Sequence, residues 1–126
     1  MSQSQVLYGL EDRPGFAISL TAAIQHVLAS FIGVVTPTLI ISSVLGLQAE
    51  VPYLISMALL ATGLGTFIQT KGIGPVGSGL VAVQGTSFAF LSALILVGST
   101  VKERGGSNDD ILAMMLGVCF FGAFVE

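Results

Sequence analysis

Residues 83–90, Val-Gln-Gly-Thr-Ser-Phe-Ala-Phe, place polar and flexible residues side by side at the centre of an apolar segment. No charged side chain occurs from Gly72 to Val101 around them. A continuous transmembrane helix satisfies its own backbone and gains nothing from such a cluster. We therefore predict that this segment is interrupted: a short extended strand, Leu80 to Val83, leads into a half-helix that runs from about Ser87 to Val97 or a little beyond.

The composition of the whole chain places that segment in a membrane protein. Of the 126 residues, 53% are hydrophobic and 9% are charged, whereas soluble domains carry about 25% charged residues. The charges are bunched, leaving residues 14–49, 51–70 and 72–101 uncharged. Each run reaches the roughly 20 residues that a helix needs to cross a bilayer. The sequence thus predicts an all-α integral membrane protein, and its net charge of −3 says little about partners.

The predicted organisation is a polar lead over residues 1–16 and a partial membrane domain over residues 17–126. The segments of that domain lie at about 17–45, 51–70, 75–99 (the broken one) and 109–126. A loop from Gly98 to Asn108 precedes the fourth segment, where Ser107 is the expected N-cap and Asp110 its partner. We expect about three and a half segments, because the fourth is cut off after about 22 Å of helix.

The first segment carries its own polar group. His26 is its only ionisable side chain, and such a residue at membrane depth is by default a functional hypothesis. Two alternatives stay open for His26 and its neighbour Gln25: a hydrogen bond that fixes helix packing, or contact with a substrate or a proton. Pro37 lies further along, where it removes a backbone donor and should kink the helix.

The break in the third segment is the stronger candidate for a binding site. Non-helical backbone in a bilayer must be buried in protein or line a polar cavity, and a helix start offers free N–H groups at the positive end of its dipole. Thr86 or Ser87 can cap that start, and Phe88 offers a flat ring to a heterocycle. The alternatives are that Phe88 packs against lipid or core and that Gln84 and Ser87 only satisfy backbone. The substrate-binding prediction comprises Gln84, Gly85, Thr86, Ser87 and Phe88.

Catalytic and metal-binding patterns are missing from the sequence. It contains no HExxH, no phosphate-binding loop and no nucleophile elbow, and a lone histidine makes a weak metal site. Its single cysteine, Cys119, gives no disulfide framework and is expected to pack. We predict neither an enzyme nor a cofactor.

Four motifs carry a resemblance to a known family. YGLEDRP, AIQH, ISMALLATGLGTFIQ and GPVGSGLVAVQGTSFAF resemble the nucleobase-ascorbate transporters, also called nucleobase:cation symporter-2, and within them the bacterial xanthine and uracil permeases. The resemblance implies fourteen membrane segments in two inverted repeats of seven. It also implies that segments three and ten each contain a short strand and hold the nucleobase between them.

The resemblance further implies roles for particular residues. The histidine of the family's Gln-His pair matches His26, the aromatic residue after the strand matches Phe88, and the residue that influences purine preference matches Ser87. Some relatives carry Asn at this last position, which leaves the exact nucleobase open. The family's acidic residues for substrate and proton lie on segments eight and ten, outside this sequence.

The implied function is that of an N-terminal fragment of a purine or pyrimidine symporter. Its partners would be a nucleobase, the lipid bilayer and a coupling ion, H⁺, with a homodimer of the full-length form left open and no nucleic acid expected. It would span the inner membrane several times, with a cytoplasmic N-terminus. Two alternatives remain, an anion carrier of the sulfate permease type and a small membrane protein that transports nothing.

Overall fold

The computed structural model of the protein describes residues 12–124. That part of the chain is all-helical, which confirms the predicted all-α class, and it forms no strand. Its helices are α1 at Phe16–Leu45, α2 at Val51–Lys71, α3 at Leu91–Glu103 and α4 at Asn108–Gly122, with short 3₁₀ helices at Gln48–Glu50 and Phe88–Phe90. The predicted lead lies mostly outside the described residues, as does the predicted end of the fourth segment at residues 125–126.

A tight turn joins α1 to α2 and sets them side by side. Gly46 ends α1 in the left-handed region at φ +80°, where a residue with a Cβ would be strained. The N–H groups of Gly46 and Leu47 both donate to the carbonyl of Ser42. The next helix begins with Pro52 in its first turn, where the missing N–H costs nothing. The two helices therefore pack as an antiparallel pair.

The C-terminal ends of α1 and α3 and the N-terminal part of α4 meet at one side of the molecule. The Nζ of Lys102 donates to the carbonyl of Leu45 at 2.7 Å, which places a positive charge on the negative end of α1. Because both helices end there, α1 and α3 run parallel, and α4 turns back along α3. Ser107 caps α4 in a reciprocal capping box with Asp110, which confirms the predicted cap.

The core is small and lies at that same side. It consists of buried residues from α1, the following turn and α4, namely Ile41, Leu45, Leu47, Ile111 and Met115. Side chains of α3 pack against this cluster. Gly98 lets α3 approach closely, since a Cβ there would collide with Leu45 Cδ1 and lie 3.3 Å from Ile111 Cγ2. The prediction that placed Gly98 at the start of a loop is wrong, because the residue is a contact point inside a helix.

Most other large apolar side chains are exposed. The helical stretches Phe16–Leu45 and Gln48–Lys71 have the length and composition to cross a bilayer. In the most apolar part of the second stretch 0% of the residues are buried, whereas the core helix of a soluble domain would be mostly covered. These surfaces are suited to an apolar surrounding.

The third segment differs from its prediction in two respects. No strand forms at Leu80 to Val83; the chain has no regular structure from residue 77 to residue 87, and the Ala82 N–H turns back to the carbonyl of Leu80. A strand needs a neighbouring strand to receive its hydrogen bonds, and this part of the chain provides helices instead. The following helix begins directly after its cap Ser87, as predicted, with a 3₁₀ turn at Phe88–Phe90, but it extends well past Val97, to Glu103.

We predict that Gly98→Ala destabilises the protein, because the added methyl group meets the fully buried Leu45. Overpacking of this kind costs about 1–3 kcal/mol. Gly117→Ala is the matched control: it is also a helical glycine, but its Cβ would have nothing within 4 Å. Both variants gain about 1 kcal/mol of helix propensity. The melting temperature of the purified protein in detergent should fall for Gly98→Ala and hold or rise for Gly117→Ala; equal values would contradict the packing shown here.

Candidate functional site

The chain leaves α2 through a glycine-rich loop that folds back over the end of that helix. The N–H of Gly79 donates to the carbonyl of Gln69 at 3.1 Å, and the Nε2 of Gln69 donates to the Oγ of Ser78 at 2.7 Å. Gly77 has φ +96°, and a Cβ there would lie 2.6 Å from the carbonyl oxygen of Ile68. Only glycine fits this position, and the loop sends the chain back along α2.

The polar stretch then docks on α2 through a hydroxyl group. The backbone N–H of Gln84 donates to the Oγ1 of Thr66 at 3.0 Å. The neighbouring Gly65 makes room for this approach, since a Cβ on it would lie 3.2 Å from the Cβ of Gln84. A side-chain oxygen of α2 thus replaces the hydrogen bond that this N–H would form in a regular helix.

The same stretch docks on α1 two residues later. The Oγ1 of Thr86 donates to the carbonyl of Gly33 at 3.2 Å, and the carbonyl of Val34 lies 3.4 Å away. Between the two docking points a Cβ on Gly85 would lie 3.5 Å from Val34 Cγ2. Residues 84–86 therefore lie against both long helices.

The docking points lie deep along those helices. At 1.5 Å per residue, Gly33 is about 18 Å from the end of α1 at Leu45, and Thr66 is about 22 Å from the start of α2 at Val51. The end of α1 and the start of α2 lie at the same side of the molecule, because the short turn joins them. In a hydrocarbon layer of about 30 Å these depths lie well inside the bilayer.

A helix starts at this depth and presents unused donors. Ser87 is its N-cap, with its Oγ accepting from the Ala89 N–H at 3.3 Å. The N–H groups of Gly85 and Phe88 find no hydrogen-bond partner within residues 12–124. The side chain of Phe88 follows at once and is 53% exposed. Chemically, free N–H donors can bind a carbonyl oxygen, and an exposed flat ring can stack on a planar group.

A groove of about 670 Å³ opens beside this helix start, between α1, α3 and α4. Of the predicted binding residues, Thr86 and Ser87 line it, whereas Gln84, Gly85 and Phe88 do not. The remaining lining residues are Pro37, Thr38, Ile41, Phe90, Leu91, Ala93, Leu94, Val118, Cys119, Gly122 and Ala123. Sequence reasoning missed the part that α4 plays; the spacing of Val118, Cys119 and Gly122 on one helical face is the signal that would have indicated it.

The structure places His26 and Gln25 apart from the break. Both lie exposed on α1, and His26 is about 10 Å along the helix from Gly33, on the same face because the two are seven residues apart. The backbone carbonyl of His26 accepts the Ser30 hydroxyl at 2.7 Å, and its imidazole has no hydrogen-bond partner in the described part of the chain. Neither residue lines the groove.

Comparison with known proteins identifies close relatives. A family model described as "Permease family" matches residues 17–126. Xanthine permeases XanQ and XanP of Escherichia coli strain K12 are 45% and 44% identical over 97% and 98% of this chain, which covers 26% and 27% of theirs. The xanthine permease of Bacillus subtilis strain 168 is 36% identical over 90% of this chain and 27% of its own. The chain thus spans about a quarter of the length of these relatives. No solved structure matches it.

We predict that Thr66→Val frees the Gln84 amide, because valine keeps the shape of threonine but has no oxygen to accept the N–H. Leaving such a donor unpaired costs about 1–3 kcal/mol, which corresponds to roughly tenfold or faster hydrogen exchange. Deuterium uptake in peptides spanning residues 80–90, followed by mass spectrometry, measures this. Thr66→Ser should behave as the original. Thr100→Val is the control, since that hydroxyl bonds only to Leu96 within its own helix; uptake at residue 84 that does not differ between Thr66→Val and this control would refute the contact.

Proposed function

This chain belongs to the permease family, and from that membership we propose that it supplies one part of a nucleobase transporter. The relatives that it matches are permeases rather than enzymes. The complete protein would carry xanthine or a related purine or pyrimidine across the inner membrane by secondary active symport. We propose H⁺ as the coupling ion and a cytoplasmic N-terminus, as the resemblance implies.

The observation that carries the proposal is a helix start held deep between two membrane-length helices. The N–H groups of Gly85 and Phe88 point to no partner among residues 12–124. In an apolar surrounding an unpaired donor of this kind costs several kcal/mol. Xanthine and uracil have ring carbonyl oxygens that accept such donors, and a flat face for Phe88. A broken helix near the midplane is also the usual place where secondary transporters hold substrate.

Each residue of the break then has a distinct role. Phe88 stacks on the ring and Ser87 shapes the edge beside it, where we propose that it influences which nucleobase is preferred. The Nε2 of Gln84 donates to the carbonyl of Ala82 at 3.3 Å, which orients its amide and leaves Oε1 to accept an N–H of the base. His26 and Gln25, about 10 Å away along α1, form the far edge of the site or contact the remainder of the transporter.

The complete protein that carries this sequence is expected to accumulate labelled xanthine in cells that lack their own nucleobase carriers. Excess unlabelled xanthine should block uptake, sulfate should have no effect, and a protonophore should abolish accumulation. A protein that reaches the membrane but takes up neither xanthine, uracil nor urate would overturn the proposal. Competition by sulfate would instead favour an anion carrier.

Phe88→Ala should raise the KM for xanthine by about tenfold while the amount of protein in the membrane stays unchanged. Loss of an aromatic stack removes up to about 1.5 kcal/mol, and 1.4 kcal/mol is a factor of ten in affinity. Phe67→Ala is the matched control, because Phe67 lies on α2 with a similar exposure of 57%. Uptake kinetics that are the same in both variants would remove Phe88 from the site.

A further inference from the structure

We infer that Thr86 is a positioning residue whose hydroxyl supplies the hydrogen bond that Pro37 removes from α1, and that this bond fixes the nucleobase-binding segment on that helix. The inference rests on the proposed function for its effect on transport. It assigns Thr86 a role different from the direct substrate contact expected from the sequence. It rests on a hydrogen bond between Thr86 and Gly33, which are 53 positions apart in the chain.

The first step concerns the carbonyl group that Pro37 leaves without a donor. In an α-helix the N–H of each residue donates to the carbonyl four positions earlier. For position 37 that carbonyl belongs to Gly33, and proline has no N–H to donate. The adjacent carbonyl of Val34 is different, because its donor position is Thr38, which has an N–H. Gly33 is therefore the one acceptor in this turn that α1 itself cannot satisfy.

The second step is that Thr86 reaches this carbonyl. Its Oγ1 lies 3.2 Å from the oxygen of Gly33 and 3.4 Å from that of Val34, so one hydroxyl proton serves both. At this depth neither carbonyl would find water in a bilayer. Because a threonine hydroxyl has a single proton, the donor of Thr86 is committed to α1. It is not available to donate to a nucleobase.

The third step links this bond to the binding groups. Thr86 immediately precedes the cap Ser87 and lies two residues before Phe88. On its other side, the N–H of Gln84 donates to the Oγ1 of Thr66. The segment is thus fixed on α2 at residue 84 and on α1 at residue 86. Releasing the second point would let the helix start and the Phe88 ring move, which lowers affinity without removing any group that touches substrate.

A double-mutant cycle in the complete permease tests the pairing of positions 37 and 86. Thr86→Val should raise the KM for labelled xanthine about tenfold at unchanged maximal rate per transporter in the membrane, and Thr86→Ser, which keeps the hydroxyl, should stay within about threefold of the original. Pro37→Ala restores an N–H at position 37. In that background Thr86→Val should therefore change KM by less than about threefold. Thr21→Val is the control, since that hydroxyl bonds to Ala17 within α1.

The cycle also has readouts that need no transport. Melting temperatures of the four purified proteins in detergent should show the same coupling: a clear drop for Thr86→Val alone and little further change when it is added to Pro37→Ala. If Thr86→Val does not reach the membrane, recovery of its abundance by Pro37→Ala supports the pairing, and failure to recover overturns it.

Three results would overturn the inference: a KM and melting temperature for Thr86→Val equal to those of the original, a Thr86→Ser variant as impaired as Thr86→Val, or strictly additive effects at the two positions. Additive effects of Thr86→Val and Pro37→Ala on KM would indicate that Thr86 contacts the substrate directly. If the original protein takes up no nucleobase while the melting temperatures remain coupled, the proposed function fails and the pairing stands.

Discussion

An N–H or carbonyl group that faces hydrocarbon without a partner costs several kcal/mol, and this constraint organises the middle of the protein. Two irregularities break the backbone ladder at the same depth, Pro37 in α1 and the non-helical stretch before Phe88. Each leaves polar groups that its own segment cannot satisfy. Hydroxyl groups from neighbouring segments satisfy two of them: Thr86 donates to Gly33, and Thr66 accepts from Gln84.

Threonine side chains are short, so these hydrogen bonds require the backbones of the two segments to approach closely. Gly65 allows this at the Gln84 contact, because a Cβ on Gly65 would lie only 3.2 Å from the Cβ of Gln84. The same solution recurs at the other end of the molecule, where Gly98 lets α3 approach Leu45 and Lys102 reach the last carbonyl of α1. Small residues in this protein thus mark points of contact between segments, as they do in membrane helix packing generally.

The polar cluster that interrupts the third segment therefore contains two kinds of group. Thr86 and the N–H of Gln84 form hydrogen bonds to other helices, whereas the N–H groups of Gly85 and Phe88 have no partner among residues 12–124 and the Phe88 ring is exposed. Residue type alone does not tell the groups that bond to other helices from those without a partner, since threonine, serine and glutamine are all polar. The two kinds of group differ in orientation, and the packing of α1 and α2 around the break sets that orientation.

Some features followed from the sequence because they are local. The apolar lengths of α1 and α2 predicted membrane helices, and the spacing of Ser107 and Asp110 predicted a capping box that the structure contains. The predicted strand at Leu80 to Val83 did not form, and Gly98 proved to be helical, because a strand partner and a helix contact both depend on distant residues. The wall that α4 adds to the groove was missed for the same reason.

The sequence by itself determined that this is a helical membrane protein of the permease family, since apolar length, helix caps and motifs depend only on residues close together in the chain. Only the tertiary structure decided which hydroxyl serves which backbone group. A proline inside a helix leaves the carbonyl four positions earlier without its donor, but the residue that donates to this carbonyl, that of Gly33, lies 53 positions after it in the chain. Its identity depends on where the folded chain brings Thr86, and short-range spacing contains no information about that.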